Sequence, residues 1–149
     1  PIEIIKDIEV PHKIIIEENN AKLLYTELPE IKADRSQFKM ILTNLIQNAI
    51  KFRSDQDPKI KIECKETPDY WTFSVEDNGI GFESKYADRI FNIFERLHSS
   101  DEYSGTGIGL ALVKRIIERH HGKVWAESDG EGKGSSFHFT IPKNGGEYL

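Results

Sequence analysis

Between residues 34 and 52, apolar residues recur with the period of an α-helix, and this pattern constrains the fold of the chain more strongly than any other. Asp34 followed three residues later by Gln37 is a capping-box pattern, which predicts where the helix begins. The positions that form one apolar face are Phe38, Ile41, Leu42, Leu45, Ile46 and Ala49. Such a face has to be buried against a sheet or against other helices.

Three polar side chains form a stripe beside that apolar face. Asn44, Asn48 and Lys51 fall on one side of the helix, because a turn takes 3.6 residues. Asparagine is a mediocre helix former, so two of them on one stripe suggest a binding partner. Amide oxygens suit a hard cation such as Mg²⁺, and an ammonium suits phosphate. A solvated helix face is the alternative interpretation.

Alternating apolar and polar residues predict two β-hairpins after this helix. The predicted strand pairs are 60–64 with 71–75, and 124–126 with 137–141. A helix from about 108 to 120, with Gly122 as its C-cap, separates the two hairpins. This order predicts an α+β fold, a two-layer sandwich in which about three helices pack on one face of a mixed, mostly antiparallel sheet.

The first thirty residues permit two interpretations. Isoleucines spread over the first twenty residues favour a helix, interrupted near Pro11, whereas the β-branched run at 12–16 fits a strand equally well. We expect the helix, followed by a short strand from Lys22 to Leu28.

Composition limits the class of protein. With 149 residues, 38% hydrophobic and 30% charged, the chain is typical of one globular domain covering 1–149. A net charge of −5 argues against a general nucleic-acid binder. No membrane helix or secretory signal is recognisable, so we expect a cytoplasmic, monomeric domain without membrane insertion. Cys64 falls in register with apolar strand residues and is expected in the core. The start at Pro1 suggests a piece of a longer protein.

Asp77-Asn78-Gly79-Ile80-Gly81 follows the second predicted strand directly. A carboxylate held at a strand end can accept a hydrogen bond from the exocyclic amine of adenine, whereas the keto oxygen of guanine would be rejected. The two glycines would let backbone approach a ligand. An ordinary β-turn is the alternative, because Asp-Asn-Gly builds turns readily.

A second glycine-rich segment leads straight into a predicted helix, and its residues are Gly105, Thr106, Gly107, Ile108, Gly109 and Leu110. Backbone amides before a helix N-terminus favour phosphate. A polar run at 99–104 precedes the segment, which argues against a dinucleotide-binding βαβ unit, and we expect that run to be mobile without nucleotide. The sequence contains no P-loop motif, and it has neither the HRD nor the DFG motif of serine, threonine and tyrosine kinases.

Two weaker segments complete the set. Phe91–Arg96 carries two phenylalanines, expected in the core, and Arg96, whose guanidinium can reach a terminal phosphate. The segment 132–137 is either a plain hairpin turn or a turn that backs a nucleotide pocket.

Taken in order, these segments resemble the catalytic, ATP-binding domain of sensor histidine kinases, in the superfamily shared with gyrase, Hsp90 and mismatch-repair ATPases. The matching boxes are the asparagine-rich helix, 77–81, 91–96, 105–109 and 132–136. The resemblance covers essentially the whole chain, and the residues within the motifs are most like those of phytochrome-type kinases. It implies the Bergerat, or GHKL, ATP-binding fold.

The resemblance also implies a set of site residues. Those implied to hold ATP are Asn44, Asn48, Lys51, Phe52, Asp77, Gly79, Gly81, Gly105, Thr106, Gly107, Gly109, Leu110 and Ser136. Asn48 would bind Mg²⁺, Asp77 would accept from the adenine amine, and Phe52 would lie against the ring. Arg96 and Lys51 would be the catalytic cations on the phosphates.

One position departs from the hydrolysing members, which carry a glutamate four residues before the metal-binding asparagine. Here that residue is Asn44, which cannot take a proton from water at neutral pH. The resemblance therefore implies transfer of the γ-phosphoryl group to a histidine on a separate dimerisation domain of the parent protein, and onward to a response regulator. An ATP-binding regulatory module without transfer is the alternative.

The five histidines of the chain lack the acidic context of a phosphoacceptor; they are His12, His98, His120, His121 and His138. His120 and His121 are expected instead to cap a helix electrostatically.

Overall fold

A five-stranded sheet and two helices position the candidate site. The computed structural model describes residues 2–6, 8, 17, 20–25, 28–87, 89–91 and 109–144. The strands are β1 (Glu3–Ile5), β2 (Lys22–Tyr25), β3 (Ile31–Ala33), β4 (Lys59–Glu66), β5 (Tyr70–Asp77), β6 (Val124–Glu127) and β7 (Ser135–Pro142). The helices are α1 (Arg35–Lys51) and α2 (Gly109–Arg119), with a 3₁₀ turn at Ser84–Tyr86.

The sheet has the order β2-β4-β5-β7-β6. Only β2 runs parallel to its neighbour, β4, and the other pairs are antiparallel. Both predicted hairpins are confirmed, with Ile60 opposite Asp77 in the first and Val124 opposite Phe139 in the second. The mixed, mostly antiparallel sheet is therefore as predicted. Two α-helices have both bounds within the described part of the chain and Glu17 is also helical, against about three helices expected.

Alternate residues of the sheet form the core with the apolar faces of α1 and α2. Phe73 and Phe139 stack at 5.0 Å between ring centroids, and Phe38 of α1 meets them edge-on at 5.3 and 6.1 Å. Cys64 packs against this core, half-buried, and burial raises the pKa of its thiol to about 11. No helix among the described residues is long and apolar enough to span a membrane.

The start of α1 is capped by Asp34, as the sequence predicts. Its Oδ1 accepts from the Gln37 amide at 2.9 Å, and that hydrogen bond lowers the pKa of the carboxyl group. The amide of Asp34 itself donates to Nε2 of His120 at 3.1 Å. In a complete capping box the Gln37 side chain would accept from the Asp34 amide. Here His120, from a distant part of the chain, accepts from that amide instead.

The end of α2 differs from the prediction by one residue. His121, at φ 62°, is the left-handed residue, and the amides of His121 and Gly122 donate to the carbonyls of Glu118 and Ile117, both at 2.9 Å. This is a Schellman motif with histidine where glycine is usual. Gly122 is needed for another reason, because a Cβ there would collide with the carbonyl oxygen of Thr140.

His120 is not an electrostatic cap. The residue is 4% exposed, and its Nδ1 lies 2.9 Å from the carbonyl oxygen of Ile116. Because Nε2 must accept from Asp34, Nδ1 carries the proton and the ring is neutral in this arrangement. Hydrogen bonding, rather than charge, fixes this helix end.

The helix expected at the N-terminus is wrong for residues 3–5. They form β1, which pairs antiparallel with β3 so that Glu3 faces Ala33. Ile5 is buried and Ile4 is exposed, which is strand alternation. The ambiguous run at 12–16 lies outside the described residues, and the strand expected from Lys22 is present as far as Tyr25.

Candidate functional site

The polar stripe of α1 lies at the edge of the core. Asn44, Asn48 and Lys51 are half-buried, beside the fully buried Leu45 and Ile46. The helix ends immediately after this stripe, where the Phe52 amide donates to the carbonyl oxygen of Asn48 at 3.1 Å. The stripe is therefore partly exposed at the edge of the core. Side chains in such a position are held by their neighbours and can still reach a ligand.

Asn44 lies against the first residue of α2. Its Nδ2 donates to the carbonyl oxygen of Met40 at 2.7 Å, and its Oδ1 would lie only 3.0 Å from a Cβ on Gly109. The second glycine-rich segment thus reaches the asparagine helix at Gly109. Leu110, the next residue, packs its side chain against the core.

Lys51 and Phe52 form a pair at the end of α1. The Lys51 ammonium lies 5.0 Å from the centroid of the Phe52 ring, a cation–π contact. The carbonyl oxygen of Phe52 accepts from the Ile80 amide at 3.0 Å. This hydrogen bond joins the helix to the loop that follows β5.

Asp77, the last residue of β5, has a carboxylate that is largely buried. Burial raises its pKa to about 6, and hydrogen bonds from the backbone amides of Gly79 and Ser135 act in the opposite direction. The Gly79 amide lies 2.8 Å from Oδ1. A carboxylate held by two amides is a fixed acceptor, as adenine recognition requires.

The glycines of this loop are needed for contacts within the protein. A Cβ on Gly79 would lie 2.5 Å from the carbonyl oxygen of Phe52. Gly81 has a φ of +68°, and a Cβ there would collide with the carbonyl of Gly130 and lie 2.9 Å from that of Gly134. These glycines let the loop close on α1 and on the β6–β7 turn, and their predicted approach to a ligand stays a prediction.

The register of β7 determines which serine lies opposite Asp77. Ser135 is opposite Asp77, whereas Ser136 is opposite Glu76, and alternation puts the side chain of Ser136 on the face away from the helices. Ser135 is therefore the serine opposite Asp77, and the nucleotide contact expected for Ser136 stays a prediction. Side-chain alternation from the buried Phe137 could have located it.

Several predicted site residues lie outside the described part of the chain, namely Arg96, Gly105, Thr106 and Gly107. Of the phenylalanines in 91–96, Phe91 is described; it is buried and meets Phe137 edge-on at 6.2 Å between centroids, as expected for a core residue.

Residues 33–145 match a family model described as histidine kinase-, DNA gyrase B-, and HSP90-like ATPase. The chain is 50% identical over 132 residues to cyanobacterial phytochrome A of Nostoc sp., covering 89% of this chain and 17% of that protein. The catalytic domain of histidine kinase ThkA is similar at 32% identity and a TM-score of 0.71, covering 87% of this chain and 84% of that one. A structure of ThkA in complex with response regulator protein TrrA matches at 28% identity and a TM-score of 0.69, covering 90% and 37%.

Proposed function

Since the chain belongs to the histidine kinase-, DNA gyrase B- and HSP90-like ATPase family, we propose that it binds Mg·ATP and passes the γ-phosphoryl group to a histidine on a separate dimerisation domain. One observation carries the proposal. Asp77, fixed by two amides, is joined through Gly79 and Ile80 to the end of the helix that carries Asn48 and Lys51. A base-recognising carboxylate and candidate phosphate ligands are thereby combined in one rigid unit.

Adenine recognition is assigned to Asp77 and Phe52. The Asp77 carboxylate accepts from the exocyclic amine, and the same acceptor repels the keto oxygen of guanine. The Phe52 ring offers an apolar surface to the base. The Lys51 ammonium lies 5.0 Å from the centroid of that ring, which places the lysine beside the proposed base site.

The phosphates are assigned to the stripe on α1 and to the segment that ends at Gly109. No group of three or more His, Cys, Asp or Glu side chains able to hold a metal occurs in the described ranges. Mg²⁺ fits nevertheless, because it is usually held by one or two protein oxygens together with nucleotide phosphates, and the half-buried Asn48 amide offers such an oxygen. When bound, Mg²⁺ would neutralise phosphate charge beside Lys51 and Arg96.

Transfer, rather than hydrolysis, is favoured by Asn44. Its amide nitrogen already donates to the carbonyl of Met40, and an uncharged amide has no basic site for a proton of water. In the proposed reaction the bond from the γ-phosphorus to the bridging oxygen breaks, a bond to an imidazole nitrogen forms, and ADP leaves. Alignment and charge neutralisation supply most of the rate in such transfers.

The partners follow from the same assignment. We propose a dimerisation domain of the parent protein as acceptor and a response regulator as the next recipient, in the cytoplasm. The ThkA complex with TrrA supports the second partner by analogy. The chain covers 17% of the phytochrome relative, so the parent's sensory activity stays outside this proposal.

Incubation with γ-labelled ATP and the parent's dimerisation domain tests the function. Acid-labile label on that domain supports the kinase. Tight ATP binding without label would instead indicate a regulatory module, and free phosphate released by this domain alone would indicate an ATPase.

A further inference from the structure

Ser128, the residue immediately after β6, lies where the turn between β6 and β7 meets the loop after β5. Its Oγ is within hydrogen-bond distance of the loop after β5, of the turn between β6 and β7, and of the residue that precedes β7. No motif in the sequence draws attention to it.

The hydroxyl uses its full hydrogen-bonding capacity. Oγ accepts from the amides of Phe82 at 3.1 Å and Gly130 at 3.2 Å, and it donates to the carbonyl of Gly134 at 2.6 Å. A serine has one proton to donate and two lone pairs, so this set is complete. Loss of the oxygen would remove a hydrogen-bond partner from Phe82, Gly130 and Gly134 at once, and so from both the loop and the turn.

The segments that Ser128 joins are those that hold Asp77. The Gly134 amide donates to the carbonyl of Gly79 at 3.1 Å, and Gly79 in turn donates to the Asp77 carboxylate. The residue after Gly134 is Ser135, whose amide is the second donor to that carboxylate. Both donors are therefore linked directly to Gly134, whose carbonyl the Ser128 hydroxyl holds. Gly79 is linked to it by a hydrogen bond and Ser135 by the peptide bond.

The surroundings leave little freedom for another arrangement. Oγ of Ser128 would lie 2.9 Å from a Cβ on Gly81, and a Cβ on Gly134 would collide with the carbonyl of Asp77. The turn is also bonded to the loop at a second point, where the Gly132 amide donates to the carbonyl of Ile80 at 2.6 Å. Ser128 thus completes a close contact whose geometry excludes a side chain at Gly81 or Gly134.

We infer that Ser128 is a positioning residue for adenine recognition: its hydroxyl holds the β6–β7 turn against the loop after β5, so that the amides of Gly79 and Ser135 converge on Asp77. The inference rests on the proposed function only in the role given to Asp77. The convergence of the two amides is measurable without nucleotide.

Three variants test the inference. Ser128→Ala removes the hydroxyl, and Ser128→Thr restores one. Ser74→Ala is the matched control, because Oγ of Ser74 makes a 2.8 Å hydrogen bond to Nδ1 of His138 on the opposite face of the sheet. The free energy of unfolding of each variant is measured by urea titration, and binding is compared well below the unfolding midpoint.

The binding readout is base discrimination. We expect Ser128→Ala to lower the ratio of ATP affinity to GTP affinity about tenfold, equivalent to about 1.4 kcal/mol. Ser128→Thr restores the ratio, and Ser74→Ala leaves it unchanged. A Ser128→Ala protein that is less stable but discriminates like wild type overturns the inference while leaving the kinase assignment intact.

The second readout needs no nucleotide. In the wild type, the amide proton shifts of Gly79 and Ser135 should both follow the titration of Asp77, because both amides donate to its carboxylate. In Ser128→Ala we expect at least one of these responses to disappear. If both persist, the inference is refuted; if the wild type binds no ATP, the proposed function fails and this titration still decides the role of Ser128.

Discussion

Lowering the pH from 7 to 5 should weaken ATP binding about tenfold through protonation of Asp77. Burial raises the pKa of this carboxyl group to about 6, and only the ionised form accepts a charge-assisted hydrogen bond from the adenine amine. With that pKa, the ionised fraction falls from about 0.9 at pH 7 to about 0.1 at pH 5. The loss of affinity follows this fraction.

The folding free energy should respond in the opposite direction. Because the pKa of Asp77 is higher in the folded chain than in the unfolded chain, its contribution to stability is greatest below about pH 4 and is lost as the pH rises through about 6. The pKa difference of about two corresponds to at most about 3 kcal/mol. Asp77→Asn removes both effects.

The assay is calorimetric titration with ATP at pH 5, 6 and 7 for the wild type and for Asp77→Asn. The phosphates of ATP also titrate in this range, so the ratio of the two dissociation constants isolates Asp77. Urea titrations at pH 4 and 7 give the stability difference between the same two proteins. A ratio that stays constant between pH 7 and 5 would refute the assignment of Asp77 as the adenine acceptor.

Three further predictions concern single side chains. Asn48→Ala should abolish the Mg²⁺ dependence of ATP binding, whereas Gln47→Ala, an exposed neighbour, should keep it; a normal metal requirement in Asn48→Ala would contradict the metal assignment. His120→Phe should cost about 2 kcal/mol in urea unfolding, because it leaves the Asp34 amide without its acceptor; an unchanged midpoint would show that this hydrogen bond adds nothing. Asn44→Glu should raise phosphate release by the isolated domain, measured by a coupled phosphate assay, because a carboxylate can serve as base.

Helix α1 and the two hairpins could be predicted from sequence because their signals are local. The apolar period of α1 needs no partner to be recognised, and each hairpin pairs strands that follow one another along the chain. The cap at Asp34 is equally local, since its side chain reaches only to Gln37.

Features that depend on distant segments were not accessible in the same way. Glu3–Ile5 reads as helix until Ile31–Ala33 is known to lie beside it. The Asp34 amide has its acceptor 86 residues away, at His120. No pattern within a few residues could show either pairing.

The candidate site shows the same division. Asp77 and the α1 stripe could be proposed from residue type and spacing, whereas Ser135 could be proposed only once the register of β7 was known. Ser128 makes one local contact, because its Oγ accepts from the amide two residues later, as in a serine turn. Its contacts with Phe82 and Gly134 belong to the folded chain alone.

Two of the contacts that join α1 and α2 have a mechanical consequence. The helices run antiparallel, with the end of α2 tied to Asp34 through the buried His120 and its first residue, Gly109, resting against Asn44. An eleven-residue helix is about 16 Å long, so a displacement of 1 Å at Gly109 about a fixed His120 is a rotation of roughly 4°. With the His120 end of α2 held by the Asp34 amide, a displacement of Gly109 beside Asn44 would tilt α2 rather than slide it along α1.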